Sequence, residues 1–196
     1  MNNPSKNLKL AEQGALLAIV TYILLSTAKL IAGSMLHSSS LTADGFNNLS
    51  DIVANIAVLI GLRMARKPAD MDHKFGHWKI EDLASLVTSL IMFFVGLDVL
   101  FETVQKIISK QVTAIDPLGA IVGFISAIIM TGVYLFNKKL AKRANSKALE
   151  AAAKDNLSDA ITSLGTSIAI IASALNYPLV DQLVAIIITF LSLIHI

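Results

Sequence analysis

The sequence predicts an all-α membrane protein with six transmembrane helices, and composition and segment length are the observations that predict it. Of its 196 residues, 55% are hydrophobic and only 15% are charged, and the mean hydropathy is +0.68. Soluble domains are nearer ~45–50% apolar and ~25% charged. Six segments reach the ~20 mainly apolar residues that a helix needs to cross a bilayer. They are 11–35, 39–65, 80–108, 115–138, 148–174 and 178–196, so the whole chain, 1–196, is expected to be one transmembrane domain.

Short polar or glycine- and proline-containing turns separate these segments. Residues 33–40 join the first pair, Pro117 opens the fourth helix, and residues 176–178 separate the last two. The first nine residues are polar and have no apolar core, so they do not resemble a cleaved signal peptide. The second and fifth segments are the most polar, and a hydropathy scan is expected to score them lowest.

Lysine and arginine are concentrated on one side of the predicted bundle. Twelve lie at the N-terminus and in the second and fourth connections, against two on the other side. The twelve are Lys6, Lys9, Arg63, Arg66, Lys67, Lys74, Lys79, Lys138, Lys139, Lys142, Arg143 and Lys147, and the two are Lys106 and Lys110. Because cytoplasmic loops carry the excess of positive residues, both the N-terminus and the C-terminus are predicted to be cytoplasmic.

Charge and cysteine content exclude several function classes. A formal charge of +2 is too small to indicate nucleic-acid binding. The sequence has no cysteine, which excludes disulfides, thiolate metal sites and cysteine nucleophiles.

Two polar stretches interrupt the second and fifth apolar segments, at 47–51 and 155–159, and both contain Asn-Leu-Ser-Asp. Ionisable residues inside a membrane are costly and usually face protein or water. The outer residues of each stretch are four apart, so on a helix they share one face. In the predicted topology the two stretches run antiparallel and meet near mid-membrane.

Together these stretches offer three carboxylates and one amide: Asn47, Asp51, Asp155 and Asp159. Hard cations such as manganese prefer such oxygen ligands, whereas zinc also favours imidazole and thiolate. We therefore predict a transport site for a divalent metal, leaning toward Mn²⁺. The alternative, that these residues only hydrogen-bond helices together, is less plausible for three facing aspartates. Without metal, mutual repulsion should keep protons on some carboxylates, and metal entry would then release them.

Further polar residues flank this candidate site. Asp44 and Asn55 lie one turn to either side on the second helix, where they are expected to support the site rather than bind metal directly. In the second connection, His73 and His77 are four apart and close to Asp70, a pattern that could bind zinc or a similar ion.

The residues at 68–81 carry a specific resemblance. Pro68-Ala69-Asp70 through His73-Lys74-Phe75-Gly76-His77-Trp78-Lys79-Ile80-Glu81, together with Ser39 to Asp51, resembles the cation diffusion facilitators, which are proton-coupled exporters of divalent metals. The resemblance covers essentially the whole chain. It implies a transporter rather than an enzyme, placed in the lipid bilayer of a bacterial plasma membrane.

The resemblance also implies a site, a mechanism and an assembly. Two residues on helix two and two on helix five form the family's tetrahedral transport site, which by position are Asn47, Asp51, Asp155 and Asp159. Protons are the implied counter-ion and a homodimer the implied assembly, with a regulatory metal position around Asp70, His73 and His77. Asparagine on helix two with Asp-Asn-x-x-Asp on helix five is similar to the manganese-exporting branch.

The sequence departs from the family pattern in one respect, and there are three alternatives to manganese export. Family members usually continue into a cytoplasmic αβ domain that is absent here, and residues 191–196 resemble sequencing-adapter read-through, so we expect a fragment. A zinc or iron (Zn²⁺ or Fe²⁺) exporter of the same family is the main alternative. A non-transporting membrane scaffold is another. A third alternative, an intramembrane aspartic protease, is not supported by the sequence, because the Gly-x-Gly-Asp element of such enzymes does not occur.

Overall fold

The computed structural model describes residues 4–64, 78–109, 115–177 and 179–195, and these ranges contain six α-helices and no strand. The helices are α1 (Pro4–Met35), α2 (Ser39–Met64), α3 (Trp78–Ile108), α4 (Leu118–Ala144), α5 (Lys147–Ala174) and α6 (Leu179–His195). The predicted all-α class is confirmed. The largest differences from the predicted boundaries are at two helices, since α1 begins at Pro4 and not at residue 11, and α4 continues to Ala144 and not to residue 138. Both extensions are too polar to count as apolar span, yet they consist largely of residues that favour helix.

Helices α4 and α5 form a tight antiparallel hairpin. Asn145 ends α4 in the left-handed conformation, with φ of 49°, and its N–H donates to the Ala141 carbonyl. Asparagine tolerates this conformation better than most residues. Ser146 then caps α5, because its hydroxyl accepts a hydrogen bond from the Leu149 N–H at 3.3 Å. Two connecting residues therefore end one helix and start the next.

Helices α2 and α5 run antiparallel, contact each other and both hydrogen-bond to α1. At one end, Leu59 of α2 shares a buried cluster with Leu149 of α5. At the other end, Leu41 of α2 shares a cluster with Ile170 of α5. The predicted antiparallel meeting of the two polar stretches is therefore observed.

Glycines allow the helix backbones to approach closely. A Cβ placed on Gly33 of α1 would lie 2.5 Å from the Thr42 Oγ1 atom and 2.8 Å from its backbone nitrogen. A Cβ on Gly123 of α4 would lie 3.1 Å from the Ser163 carbonyl oxygen. Small residues at such contacts are typical of helix association in membranes, where packing rather than hydrophobic exclusion holds helices together.

The start of α2 is held by a buried aspartate from α6. The Ser38 hydroxyl accepts from the Leu41 N–H at 3.1 Å, as expected of a capping residue. Asp181, which is 1% exposed, accepts from the Ser38 hydroxyl at 2.7 Å and from the Ser39 N–H at 2.8 Å. It also accepts from both the N–H and the hydroxyl of Ser40. A carboxylate at a helix N-terminus is stabilising, so α6 fixes the position of α2.

The bundle is apolar outside, and its interior combines apolar clusters with completely buried polar side chains. Three of the described helical stretches are long and apolar enough to cross a membrane: Lys9–Met35, Leu118–Ala144 and Lys147–Ala174. The polar α2 is not among them, while α5 qualifies with the lowest hydropathy of the three, 1.4. Exposed apolar side chains include Leu24, Phe94, Ile128 and Ile168, whereas Lys29, Asp44, Asn48, Asn137 and Asn156 are completely buried. This distribution suits lipid, and the chain is an integral membrane protein.

Candidate functional site

Three of the four predicted transport-site residues meet between α2 and α5. The Asn47 side-chain amide donates to Asp159 Oδ1 at 3.1 Å and to Asp51 Oδ2 at 3.3 Å. Asp159 is only 5% exposed. We call Asn47, Asp51 and Asp159 the carboxylate cluster. It exists because residues four apart on α2 share a face and that face is turned toward α5.

The fourth predicted residue is placed differently. Asp155 lies one turn before Asp159 on α5 and is exposed, although it interacts electrostatically with both Asp51 and Asp159. Within the described residues, no three His, Cys, Asp or Glu side chains converge on one metal position. Ligation by all four residues therefore stays a prediction.

Helix α1 contributes a tyrosine that the sequence analysis did not identify. The Tyr22 hydroxyl donates a hydrogen bond to Asp159 Oδ2. Tyr22 is completely buried, and its oxygen accepts from the Asn156 amide at 2.9 Å. Both oxygens of Asp159 thus have donors, one from α2 and one from α1.

Helix α1 also contributes a buried lysine next to the site. Lys29 Nζ lies 2.9 Å from Asp44 Oδ1, and neither side chain is exposed. The ammonium also donates to Asn48 Oδ1 at 3.2 Å and to Ser163 Oγ at 2.8 Å. Tyr22 and Lys29 are seven residues apart, which places them on one helix face. That spacing, within the mainly apolar residues 14–35, was the available sequence signal.

The two residues expected to support the site have different surroundings. Asp44 forms the ion pair with Lys29, so its negative charge is balanced. Asn55 is 3% exposed and its amide donates to the Asp51 backbone carbonyl at 2.9 Å. Both are one turn from the carboxylate cluster, and among the described residues neither side chain hydrogen-bonds to a carboxylate of the cluster.

The chemistry of the cluster suits a hard divalent cation. Lys29 is paired with Asp44, so the hydrogen-bond donors to Asp51 and Asp159 are neutral groups, the Asn47 amide and the Tyr22 hydroxyl. Hydrogen bonds from neutral groups offset a buried negative charge only in part. A divalent cation would supply the missing positive charge, and all the available ligand atoms are oxygens. Asn47 would then turn its carbonyl oxygen to the cation in place of its amide nitrogen.

The second predicted metal position is in the connection between α2 and α3. Asp70, His73 and His77 lie outside the described residues, so this position stays a prediction.

Comparison with known proteins agrees with the architecture. The family described as "Cation efflux transmembrane domain" matches residues 15–196. Manganese efflux system protein MneS of Bacillus subtilis (strain 168) is 47% identical over 184 residues, covering 94% of this chain and 63% of that protein. Manganese efflux system protein MneP of the same organism is 28% identical over 176 residues, covering 88% and 58%. Cation-efflux pump FieF of Shewanella oneidensis is 28% identical over 171 residues, covering 87% and 58%.

The chain therefore spans less than two thirds of the length of these relatives, which are named as efflux proteins and not as enzymes. The matched region contains most of α1 and all of the other five helices. These bacterial relatives and the apolar helices support a place in the bacterial plasma membrane. The resemblance drawn from residues 39–51 and 68–81 is confirmed, and the chain belongs to the cation efflux transmembrane domain family.

Proposed function

We propose that this chain exports a divalent metal cation, preferentially Mn²⁺, in exchange for protons. The observation that carries the proposal is the carboxylate cluster, which places oxygen atoms of α2 and α5 within hydrogen-bond distance of the same amide inside the bundle. Relatives named as manganese efflux proteins support the choice of cargo.

The electrostatics of the same cluster are the reason for proposing protons as the counter-ion. When a cation leaves, Asp51 and Asp159 lose the charge that balances them, in surroundings where ionised carboxylates are expensive. Taking up protons removes that cost, and binding the next cation expels them. Cation and protons then compete for one set of oxygens, which is the physical requirement for exchange.

Asp155 is proposed to join the cluster when the cation binds. It already lies one turn from Asp159 on the same helix and interacts electrostatically with both clustered carboxylates. A modest rotation of its side chain or of α5 would bring a third carboxylate to the cation. Asp155→Asn should then lower transport about as much as Asp51→Asn does.

Flux into proteoliposomes tests the proposal. The chain is reconstituted, and uptake of Mn²⁺, Zn²⁺ and Fe²⁺ is measured with and without a pH gradient. Asp51→Asn and Asp159→Asn should abolish uptake, while Asp98→Asn, an exposed carboxylate on α3, should leave it unchanged. Equal uptake with and without the pH gradient would refute proton exchange. No uptake of any metal by the intact chain would favour the membrane scaffold instead.

Cargo identity is tested at Asn47, the one uncharged member of the predicted set. Asn47→His adds an imidazole, which suits zinc better than manganese. The expected result is a rise in Zn²⁺ uptake relative to Mn²⁺, whereas Asn47→Asp keeps oxygen ligation. Unchanged preference in both variants would mean that other groups select the metal, and a zinc or iron exporter would then be equally well supported.

Topology and assembly are part of the proposal, with cytoplasmic termini and a homodimer in the bilayer. Because the sequence has no cysteine, single cysteines can be introduced and labelled without background. In right-side-out vesicles, Ser109→Cys should react with a membrane-impermeant thiol reagent and Ser5→Cys should not. The reverse pattern would invert the topology. Sedimentation in detergent tests the dimer.

The connection between α2 and α3 is proposed to hold a second, regulatory metal through Asp70, His73 and His77. His73→Ala with His77→Ala should remove about one bound metal per chain while Asp51-dependent binding persists. Unchanged metal content would refute this position.

A further inference from the structure

Four buried side chains form a continuous hydrogen-bonded chain that ends at the carboxylate cluster. The Asn137 amide of α4 donates to Asn156 Oδ1 at 2.9 Å, and the Asn156 amide donates to the Tyr22 oxygen at 2.9 Å. The Tyr22 hydroxyl donates to Asp159 Oδ2. Asn137, Asn156 and Tyr22 are all completely buried. Helices α4, α5 and α1 are thereby linked to one ligand oxygen.

The hydrogen bonds that link these four side chains all point the same way, from Asn137 toward Asp159. A tyrosine hydroxyl has one proton, and here its oxygen already accepts from Asn156. Its proton is therefore free to point at Asp159. Asn137 fixes Asn156 in turn, because it occupies the Asn156 carbonyl oxygen and leaves the amide nitrogen turned toward Tyr22. Hydrogen bonds aligned in this way strengthen one another in a medium of low dielectric constant.

As a consequence, the two Asp159 oxygens have different hydrogen-bond partners. Oδ2 is held by Tyr22, whereas Oδ1 faces Asn47 and, through it, Asp51. When Asn47 turns to a cation, Oδ1 becomes free and Oδ2 does not. Within this network Asn137 Oδ1 is the one buried polar atom with no hydrogen-bond partner among the described residues, and it lies at the end remote from Asp159.

We propose that Tyr22 is a positioning residue of the transport site, which orients Asp159 to bind the cation through Oδ1 alone, with Asn156 and Asn137 acting through the Tyr22 hydroxyl. This inference rests on the proposed function, since it assigns a role at the same cation site. Tyr22 itself does not bind the cation. Residues that orient a metal ligand typically change metal affinity by about 10–100-fold when they are replaced, so Tyr22→Phe should weaken Mn²⁺ binding by at least about tenfold.

Tyrosine absorbance provides a readout that a purely structural role would not change. The chain has three tyrosines, and the other two lie elsewhere: Tyr134 contacts Lys138 on α4, and Tyr177 is 67% exposed after α5. Adding Mn²⁺ to the purified chain should change the near-ultraviolet difference spectrum as the Tyr22–Asp159 hydrogen bond shortens or lengthens. Tyr22→Phe should abolish that change, while Tyr134→Phe and Tyr177→Phe should keep it.

Affinity is measured in parallel from the electron paramagnetic resonance signal of free Mn²⁺. Asn156→Leu, similar in size, should weaken binding as Tyr22→Phe does, and the double variant should be no weaker than the worse single variant. Additive losses would overturn the claim that Asn156 acts through Tyr22. Wild-type affinity in Tyr22→Phe, or a spectral change that survives it, would overturn the inference while leaving the proposed function intact. No Mn²⁺ binding by the wild-type chain would overturn both.

Discussion

Replacing Lys29 with methionine should destabilise the bundle far more than the same replacement at Lys106. The two lysines form ion pairs of almost equal length, 2.9 Å from Lys29 to Asp44 and 2.8 Å from Lys106 to Glu102. They differ in exposure. Neither partner of the first pair is exposed, whereas Lys106 and Glu102 are 32% and 65% exposed. Comparing them isolates the effect of burial on an ion pair.

The expected loss of stability depends on the carboxylate charge that each replacement leaves unpaired. Without Lys29, the Asp44 charge remains buried, and neither Asp44 oxygen has a hydrogen-bond donor among the described residues. Breaking such a pair destabilises by about 3–5 kcal/mol. Losing the bonds to Asn48 and Ser163 adds roughly 1 kcal/mol each. At the exposed pair, solvent screens the charges and the expected loss is only about 0–1 kcal/mol.

The assay is reversible unfolding in mixed micelles with increasing dodecyl sulfate, followed by far-ultraviolet circular dichroism. A double variant, Lys29→Met with Asp44→Asn, removes both charges and should recover most of the stability lost in Lys29→Met. Equal losses for Lys29→Met and Lys106→Met would refute the reasoning. A double variant as unstable as Lys29→Met would show that packing of the lysine stem, and not the uncompensated charge, is the cause.

Three further predictions concern helix starts and helix contacts, and the same unfolding assay measures each. Asp181→Ala removes the acceptor for the first turn of α2 and should destabilise by about 1–3 kcal/mol, with faster amide exchange there; unchanged exchange would contradict this. Gly33→Ala should destabilise because its Cβ would lie 2.5 Å from Thr42 Oγ1, whereas Gly132→Ala, with nothing within 4 Å, should stabilise by about 1 kcal/mol. Equal effects would exclude the clash. Ser146→Ala should cost about 1 kcal/mol through loss of the α5 cap, and no loss would show that the cap is dispensable.

Segment length and polarity were sufficient to predict six helices and the antiparallel meeting of their two polar stretches. The periodicity of α2 placed Asn47 and Asp51 on one face, and the alternation of helix direction set that face against α5. Those features depend on the local residue pattern and on the length that a helix needs to cross a bilayer, and both can be judged from a single sequence. The extension of α4 to Ala144 was missed because the span criterion measures hydropathy, while a helix continues wherever propensity allows.

Contacts from α1 could not be read in the same way. Hydropathy indicates that α1 crosses the membrane but not which face it turns inward, and one partner of each residue, Asp159 for Tyr22 and Ser163 for Lys29, lies more than 130 residues away on α5. For Asp155, the sequence pattern indicates a burial that the structure does not show. Its spacing from Asp159 predicts a shared direction, yet it is exposed while Asp159 is 5% exposed. A difference of one turn along a helix is enough to separate the interior from its rim.

The repeated Asn-Leu-Ser-Asp sequence acquires a physical meaning from these α1 contacts. In each copy the aspartate belongs to the carboxylate cluster, whereas the asparagine is completely buried and has a partner on α1. Asn48 accepts from Lys29, and Asn156 donates to Tyr22, seven residues earlier on the same helix face. Each copy thus places one residue in the candidate site and uses another to attach its helix to α1. One helix thus holds both site helices through buried hydrogen bonds, at Lys29 to Asn48 of α2 and at Tyr22 to Asn156 of α5. Helix α1 is therefore the element that sets the position of the two polar stretches relative to each other.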